Sequence, residues 1–229
     1  MAEQNGAAES VYQRIRALIF DRSIPPGERI NIDRLARELG VSQTPVREAV
    51  QRLEGDKLVF ARRPRGYQTS DLLTEQQLGE MFEVRLLLEP WAARAGAELE
   101  GDLGGQLFAE IARFQDEQAH AHGGVHANFH HDVRFHEAIL GAVDPGFLLA
   151  AFTQLHSHLH LFRLFPADRD GSCTLAEHTA IARAISDGAP EEAETAMRMH
   201  LHSSLDRFSE GLREAPAGAP PVGPLRSTG

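Results

Sequence analysis

Four residues of this 229-residue chain have the types and the spacing of a metal site. Asp132 and His136 are four positions apart, so on a helix they lie on one face, a single turn from each other. His178 and His200 each lie within an apolar helical stripe further along, and we expect the three segments to face a common interior. Three imidazole nitrogens and one carboxylate oxygen can hold a divalent transition metal and leave positions open for another ligand. The alternative is a set of ordinary, partly buried histidines with hydrogen-bond partners of their own.

The segment that carries these residues, 75–213, is predicted to be helical nearly throughout. Its apolar residues recur at helical spacing, and no convincing run of alternating β residues interrupts them. The pattern predicts an antiparallel all-α bundle of about six helices. The fourth is expected to cover residues 147–165 and to end at Pro166. His156, His158 and His160 alternate along it, so they are expected to point to different faces and not to form one site together.

Residues 10–70 show a different pattern, that of a helix-turn-helix followed by a short two-stranded wing. Apolar residues at 32, 35, 36 and 39 form one helical stripe, and Gly40 follows where a chain leaves a helix through a left-handed residue. Thr44-Pro45 is predicted to cap and start the next helix, whose stripe covers positions 46, 49, 50 and 53. An earlier helix with apolar residues at 11, 15, 18 and 19 is expected to pack against this pair.

The polar face of the second helix carries Arg47, Gln51 and Arg52. Arginine in the first turns of such a helix suits entry into the major groove of DNA. Arg47 can pair with guanine O6 and N7 or clamp a phosphate, and the sequence leaves both open. Residues 58–61 and 66–69 are predicted strands with a turn at 64–66, and arginines crowd the tip where a wing meets phosphates or the minor groove: Arg62, Arg63 and Arg65.

Charge separates the two parts of the chain. Residues 10–70 hold 12 basic and 7 acidic residues, whereas the remainder holds 11 basic and 26 acidic residues. A basic segment within an acidic protein is typical of a nucleic-acid-binding module. The alternative for this segment is a small helical bundle whose arginines are solvated and do not bind DNA.

The composition of the chain indicates its cellular compartment and its disordered ends. The single cysteine, Cys173, cannot form an internal disulfide, which favours a reducing compartment. The N-terminus lacks the features of a signal peptide, and no run of about 20 apolar residues predicts a membrane span, so a cytoplasmic protein is expected. Residues 1–9 are predicted to be a disordered N-terminus, and the Pro/Gly/Ala-rich residues 214–229 a disordered tail.

The first of these patterns resembles a known family. The segment PPGERINIDRLARELGVSQTPVREAVQRLEGDKLV is similar to the winged-helix domain of GntR-family bacterial transcription regulators, over roughly residues 10–70. The resemblance implies that the start of the recognition helix and the wing-tip glycine contact DNA. In this sequence those positions are Ser42, Gln43, Thr44, Arg47 and Gly66; Arg52 and Arg65 are added from the arginine pattern.

The helical part resembles the ligand-binding domain of FadR-type GntR regulators, called FCD, over roughly residues 75–210. The matching segments are EVRLLLEPWAARAGA, DVRFHEAIL and EHTAIARAISDGAPEEAETAMRMHL. The resemblance to the metal-containing branch implies a divalent metal, zinc or alternatively nickel, manganese or cobalt, on Asp132, His136, His178 and His200. It also implies that a small organic carboxylate reaches the metal. Arg85 and Arg163 are predicted to pair with that effector, with a surface salt bridge as the alternative for both.

Together these features predict a regulator that is not an enzyme, usually a repressor. A homodimer would place two recognition helices on an inverted-repeat operator in double-stranded DNA, and the effector would shift the equilibrium between two bundle geometries. Two alternatives stay open. The same ligand set also describes a metal-dependent enzyme that activates water or oxygen, and the bundle could hold a purely structural metal.

Overall fold

A computed structural model gives the fold of the chain. It describes residues 2–62, 64, 66–120, 125–164 and 170–214, and within these it leaves open the side chains of residues 2–8, 120, 125, 126 and 214. The chain divides into two compact units between Leu72 and Leu73. Arg65 and the predicted tail beyond residue 214 lie outside the described residues.

The N-terminal unit is a winged helix-turn-helix. Its elements are α1 (Ala2–Phe20), β1 (Arg29–Ile30), α2 (Ile32–Leu39), α3 (Gln43–Gly55), β2 (Val59–Arg62) and β3 (Gly66–Thr69). The strands form an antiparallel sheet in the order β1-β3-β2, with Arg62 opposite Gly66 at the wing tip. The predicted apolar stripes of α1, α2 and α3 meet in one core, in which Ile15, Leu35, Val50 and Leu53 are fully buried.

Local signals explain the ends of these helices. Asn31 caps α2 by accepting a hydrogen bond from the Arg34 N–H at 2.9 Å, and Gly40 leaves the helix at φ 69°. Helix α3 begins at Gln43 with Ser42 as its cap, two residues earlier than the Thr44-Pro45 start that the sequence predicted. Pro45 is still compatible, since a first-turn proline lacks an N–H that would be unpaired there anyway.

Two further differences concern this unit. Helix α1 begins at Ala2 and so runs through the segment 1–9 that was predicted to be disordered; its alanines and glutamates are good helix formers. Strand β1 was not predicted, because a two-residue strand leaves no periodic signal. It pairs with β3, with Arg29 opposite Gln68.

The C-terminal unit is an all-α bundle. Within the described residues it consists of α4 (Glu75–Glu98), α5 (Leu103–His120), α6 (Val125–Val143), α7 (Phe147–Gln154), α8 (Ser157–Leu161), α9 (Ser172–Ser186) and α10 (Pro190–Glu214). Helix α4 packs along α10 and against α6, and α9 packs between α5 and α10. A capping box of Thr74 and Gln77 starts α4. No helix in the described part of the chain is long and apolar enough to cross a membrane.

One predicted helix is two in the structure. The segment expected to be continuous from residue 147 to 165 is broken after Gln154, because His156 adopts a left-handed backbone with φ 48° and ends the regular hydrogen bonding. The expected end at Pro166 lies outside the described residues. The break redirects the chain so that His158 faces α6, which matters for the site.

Candidate functional site

The four predicted metal ligands come together in the bundle interior. Asp132 and His136 lie on α6, His178 on α9 and His200 on α10, and each offers one ligand atom within 4.8 Å of the others. His136 Nε2 and His178 Nε2 are each 3.6 Å from Asp132 Oδ1. All three imidazoles are fully or almost fully buried. The four residues that the sequence predicted as a group thus lie together in the structure.

The cluster fits a divalent metal on its own geometry. His136 Nε2 and His178 Nε2 are buried and have no hydrogen-bond partner, although a buried nitrogen normally has one. Both nitrogens lie beside the same carboxylate oxygen. Nitrogen and oxygen donors in this combination suit zinc and its neighbours, so a metal would supply the partner that these atoms lack.

The far side of every imidazole is also engaged. His136 Nδ1 lies 2.6 Å from Glu89 Oε2, and His200 Nδ1 lies 2.7 Å from Glu177 Oε2. His178 Nδ1 is 3.0 Å from His131 Nε2. His136 Nδ1 makes an ion contact with Glu89 without hydrogen-bond geometry. At His178 and His200, an imidazole that donates from Nδ1 presents the lone pair of Nε2 to a metal, so those partners favour the tautomer that a ligand needs.

A further layer of charge holds those partners. Arg85 donates to both oxygens of Glu89 at 2.5 and 3.2 Å, and Arg207 donates to both oxygens of Glu177 at 2.7 Å. His131 Nδ1 in turn lies 3.1 Å from Glu110 Oε1. Glu110 also accepts a hydrogen bond from Arg134 at 2.8 Å. Each metal-facing histidine thus ends a chain that runs through a carboxylate to an arginine. Sequence reasoning did not find these supports, because Glu89, Glu177 and Glu110 reach their histidines only through packing of different helices.

His158 was not among the predicted site residues, but it contacts one of them. Its Nδ1 lies 2.8 Å from Asp132 Oδ2 and so orients the only carboxylate of the cluster. The prediction that His156, His158 and His160 do not form one site together stays compatible with this, since His158 acts singly. Burial alone would raise the pKa of Asp132, but His136 and His158 hold it well below its usual range. Asp132 is therefore ionised, as a metal ligand must be.

The histidines differ in charge when no metal is bound. Burial, together with the imidazoles of His200 and His136, holds the pKa of His178 well below its usual range, so its ring is neutral. Burial opposes the charged form of His136 as well, but Glu89 and Asp132 raise its pKa to about 9. Binding of a metal to His136 would therefore release a proton.

A cavity lies beside the cluster. It is small, with a volume of about 30 Å³, and its polar lining includes Arg85, Asn128, Asp132, Ser204 and Arg207. The predicted effector residue Arg85 therefore reaches the cavity, although it is also paired with Glu89. Arg163 is buried but is not among the described residues that line the cavity. Arg207, which was not predicted, does line the cavity.

Five of the predicted DNA-contacting residues, at the start of α3 and at the wing tip, are exposed in the N-terminal unit. Ser42, Gln43, Thr44 and Arg47 are all exposed on the first turns of α3, and Arg47 donates to Gln43 at 3.2 Å. The Ser42 side chain makes no capping hydrogen bond. Gly66 adopts φ 87° at the wing tip, where a side chain would be strained. Arg47 and Gly66 share a concave surface with two arginines that were not predicted, Arg29 and Arg34.

Arg52 lies elsewhere. Five positions after Arg47, it is about 140° further around α3 and faces α1. There its guanidinium stacks on Tyr12, 3.9 Å from the ring centre, and donates to Glu9. The sequence prediction placed Arg52 with Arg47 on the polar face of α3 and did not take the position of α1 into account. We therefore remove Arg52 from the DNA-contacting set.

Comparisons with known proteins agree with both units. Residues 7–68 match the model of the bacterial regulatory proteins of the gntR family, and residues 80–203 match the FCD domain. The chain belongs to the GntR family and carries an FCD domain. It is thus a DNA-binding transcription regulator with an N-terminal GntR helix-turn-helix domain.

Relatives of this GntR regulator extend over most of its length. It is 26% identical over 207 residues to the uncharacterized HTH-type transcriptional regulator YdhC of Bacillus subtilis, covering 89% of this chain and 91% of that protein. It is 25% identical to the Nta operon transcriptional regulator of Aminobacter aminovorans, covering 83% and 89%. A GntR transcriptional regulator from Rhodococcus sp. RHA1 shares the fold with a TM-score of 0.70 at 20% identity, over 89% of this chain and 97% of that one.

Proposed function

We propose that this GntR regulator is a repressor whose operator binding is controlled by a small organic carboxylate at a metal in the FCD domain. The observation that carries the proposal is the convergence of Asp132, His136, His178 and His200 within 4.8 Å, in a bundle that is joined to a DNA-reading unit. The repressor sign is supported by a relative, the gluconate operon transcriptional repressor of Bacillus subtilis, 26% identical over 89% of this chain and 84% of that protein.

The metal would be held by these four residues, with zinc as the first expectation and nickel, manganese or cobalt as alternatives. When bound it supplies a Lewis-acid position that accepts a carboxylate oxygen. Arg85 and Arg207 line the cavity beside it and can pair with the remaining charge of the effector. We no longer propose Arg163 for that role.

A homodimer is part of the proposal, since an inverted-repeat operator in double-stranded DNA requires two recognition helices. The bundle carries an apolar stripe that suits this purpose. Val84, Leu87 and Trp91 follow each other at helical spacing on α4, and Leu87 is 75% and Trp91 54% exposed. We expect Leu87→Glu to yield monomers in sedimentation velocity, whereas Phe147→Glu, at an exposed residue on α7, leaves the dimer intact. A dimeric Leu87→Glu variant would show that another surface is used.

The first test combines metal content with DNA binding. We expect the protein purified without tags or chelators to carry a stoichiometric transition metal by mass spectrometry, and His178→Ala to lose it. In gel shift, a fragment upstream of the protein's own gene should be retarded and then released by the effector acid. A metal-free wild-type protein, or full metal in His178→Ala, would contradict the ligand assignment.

The two alternatives predict different results in the same experiment. A purely structural metal predicts that a chelator unfolds the bundle, while any protein that stays folded keeps its full response to the acid. A metal-dependent enzyme predicts turnover of the acid by the metal-loaded protein. The match to transcription regulators over most of the chain favours the regulator.

A further inference from the structure

One carboxylate joins the metal cluster to the cavity. Glu177 lies on α9 next to His178, and it contacts two residues of α10 that are seven positions apart on one helix face, His200 and Arg207. His200 Nδ1 and an Arg207 nitrogen each lie 2.7 Å from the same oxygen, Glu177 Oε2. The imidazole and the guanidinium therefore share one acceptor, and a change in one contact alters the other.

We propose that Arg207 attenuates metal binding through this shared oxygen, so that the Arg207–Glu177–His200 chain couples the cavity to the metal. The inference rests on the proposed metal site. Arg207 draws charge from Glu177, which weakens Glu177 as the acceptor that orients His200. When Arg207 no longer pairs with Glu177, the Glu177 carboxylate becomes a stronger hydrogen-bond acceptor. It also becomes an unneutralised negative charge near the metal ion. The metal then binds more tightly.

The position of Arg207 makes this control accessible to a ligand. Arg207 lines the cavity and keeps 16% of its side chain exposed, and its other described partner is the hydroxyl of Ser204 at 3.1 Å. Arg85 also lines the cavity, but Arg85 and Glu89 are each only 1% exposed, so this parallel pair is less accessible to a ligand than Arg207. An organic carboxylate in the cavity competes with Glu177 for Arg207 and so has the effect of removing Arg207. By thermodynamic reciprocity, the metal strengthens binding of that carboxylate by the same factor.

The test measures Zn²⁺ affinity by competition with a chromophoric chelator, using the full-length protein with no added acid. We expect Glu177→Gln to bind Zn²⁺ about 10–100-fold more weakly, as the loss of a carboxylate behind a ligand histidine does elsewhere. Arg207→Gln, which stands in for the ligand-occupied state, should bind Zn²⁺ several-fold more tightly. The opposite signs are the signature of attenuation, because a merely structural salt bridge would weaken binding in both variants.

Two controls keep the result decisive. Arg198→Gln removes another arginine of α10, which pairs with Glu194 at 3.1 Å and does not contact Arg207, Glu177 or His200 in the described structure. This variant should leave Zn²⁺ affinity unchanged. Arg207→Lys keeps the positive charge and should bind Zn²⁺ with close to wild-type affinity. It is the variant to measure if circular dichroism shows that Arg207→Gln is poorly folded. Wild-type protein that binds no Zn²⁺ would overturn the proposed metal site itself. Wild-type binding with equal or weaker Zn²⁺ affinity in Arg207→Gln would overturn the attenuation alone.

Discussion

The two units of this regulator place their charges in opposite ways. The DNA-binding unit has an apolar core, and Arg47 and its neighbours on the recognition helix are exposed. The bundle buries charge at its centre, where Arg85, Glu89 and the candidate metal-ligand histidines are almost inaccessible to solvent. Exposed charges in high dielectric add little to stability and remain available to a partner. Buried charges depend on one another, so a change at the ligand site is felt throughout that interior.

The strongest challenge to this contrast is to break the buried pair. We expect Glu89→Gln to destabilise the metal-free bundle by about 3–5 kcal/mol, because it leaves the Arg85 charge buried without its carboxylate. Urea unfolding followed by hydrogen–deuterium exchange reports each unit separately and should show normal protection in the DNA-binding unit. Glu194→Gln, which breaks solvent-accessible pairs with Arg198 and Arg94, is the control and should change stability by less than about 1 kcal/mol. Equal effects of the two substitutions would refute the contrast.

Acid should act on the bundle next most strongly. Burial opposes the charged form of both Glu89 and Glu177, but Arg85 and His136 in one case, and Arg207 and His200 in the other, lower each pKa to about 2 from 4.5. The unfolded chain therefore binds more protons between these values. The stability from these groups is fully present above pH 4.5 and is lost as the pH falls towards 2.

We expect a loss on the order of 3 kcal/mol from Glu89 and less from Glu177, which is about a quarter exposed. His178, whose pKa is held well below its usual range, acts in the same direction. The measurement is the urea midpoint of the metal-free protein at pH 5.5, 4 and 3, with exchange of the two units compared. A DNA-binding unit that loses protection before the bundle would contradict the prediction.

The exposed arginines should behave in the reverse manner. Arg47→Ala is expected to weaken operator binding by about 1–3 kcal/mol and to leave stability within about 0.5 kcal/mol, since the side chain contacts only Gln43 in the described structure. Arg52→Ala is the matched variant on the same helix. It should keep operator affinity in fluorescence anisotropy but lower the melting temperature, because it loses the stacking on Tyr12 and the contact with Glu9. A loss of affinity in Arg52→Ala would restore Arg52 to the DNA-contacting set.

These examples show which parts the sequence could predict. Periodicity and caps depend on neighbours within a few positions, so α2, α3 and the wing strands were predictable from spacing. Asp132 and His136 share one helical turn, and His178 and His200 each lie within an apolar helical stripe, so the sequence singled out all four candidate ligands. Glu89 was out of reach, because it lies 47 positions before His136 and only the packing of α4 on α6 joins them.

The same limit explains the errors in individual roles. Arg52 has the spacing of a polar-face residue, but its guanidinium stacks on Tyr12 of α1. Arg163 was chosen as an arginine within the bundle, whereas access to the cavity depends on the break at His156 and on where α10 passes. Arg207 carried the same chemical signal as any other arginine of α10. Its significance is visible only beside Glu177.

The smallest expected effect compares two helix caps of the DNA-binding unit. Asn31 accepts the Arg34 N–H at 2.9 Å, so Asn31→Ala should cost about 1 kcal/mol in unfolding free energy. Ser42 caps α3 without any side-chain hydrogen bond, so its hydroxyl and the free N–H groups of that helix end remain available to a phosphate. Ser42→Ala should therefore keep the unfolding midpoint and weaken binding to operator and to unrelated DNA by the same factor, because a phosphate contact carries no sequence information. If Ser42→Ala instead destabilised the unit as much as Asn31→Ala, its hydroxyl would be a structural cap, and the contrast between exposed, available groups and committed ones would fail at the recognition helix itself.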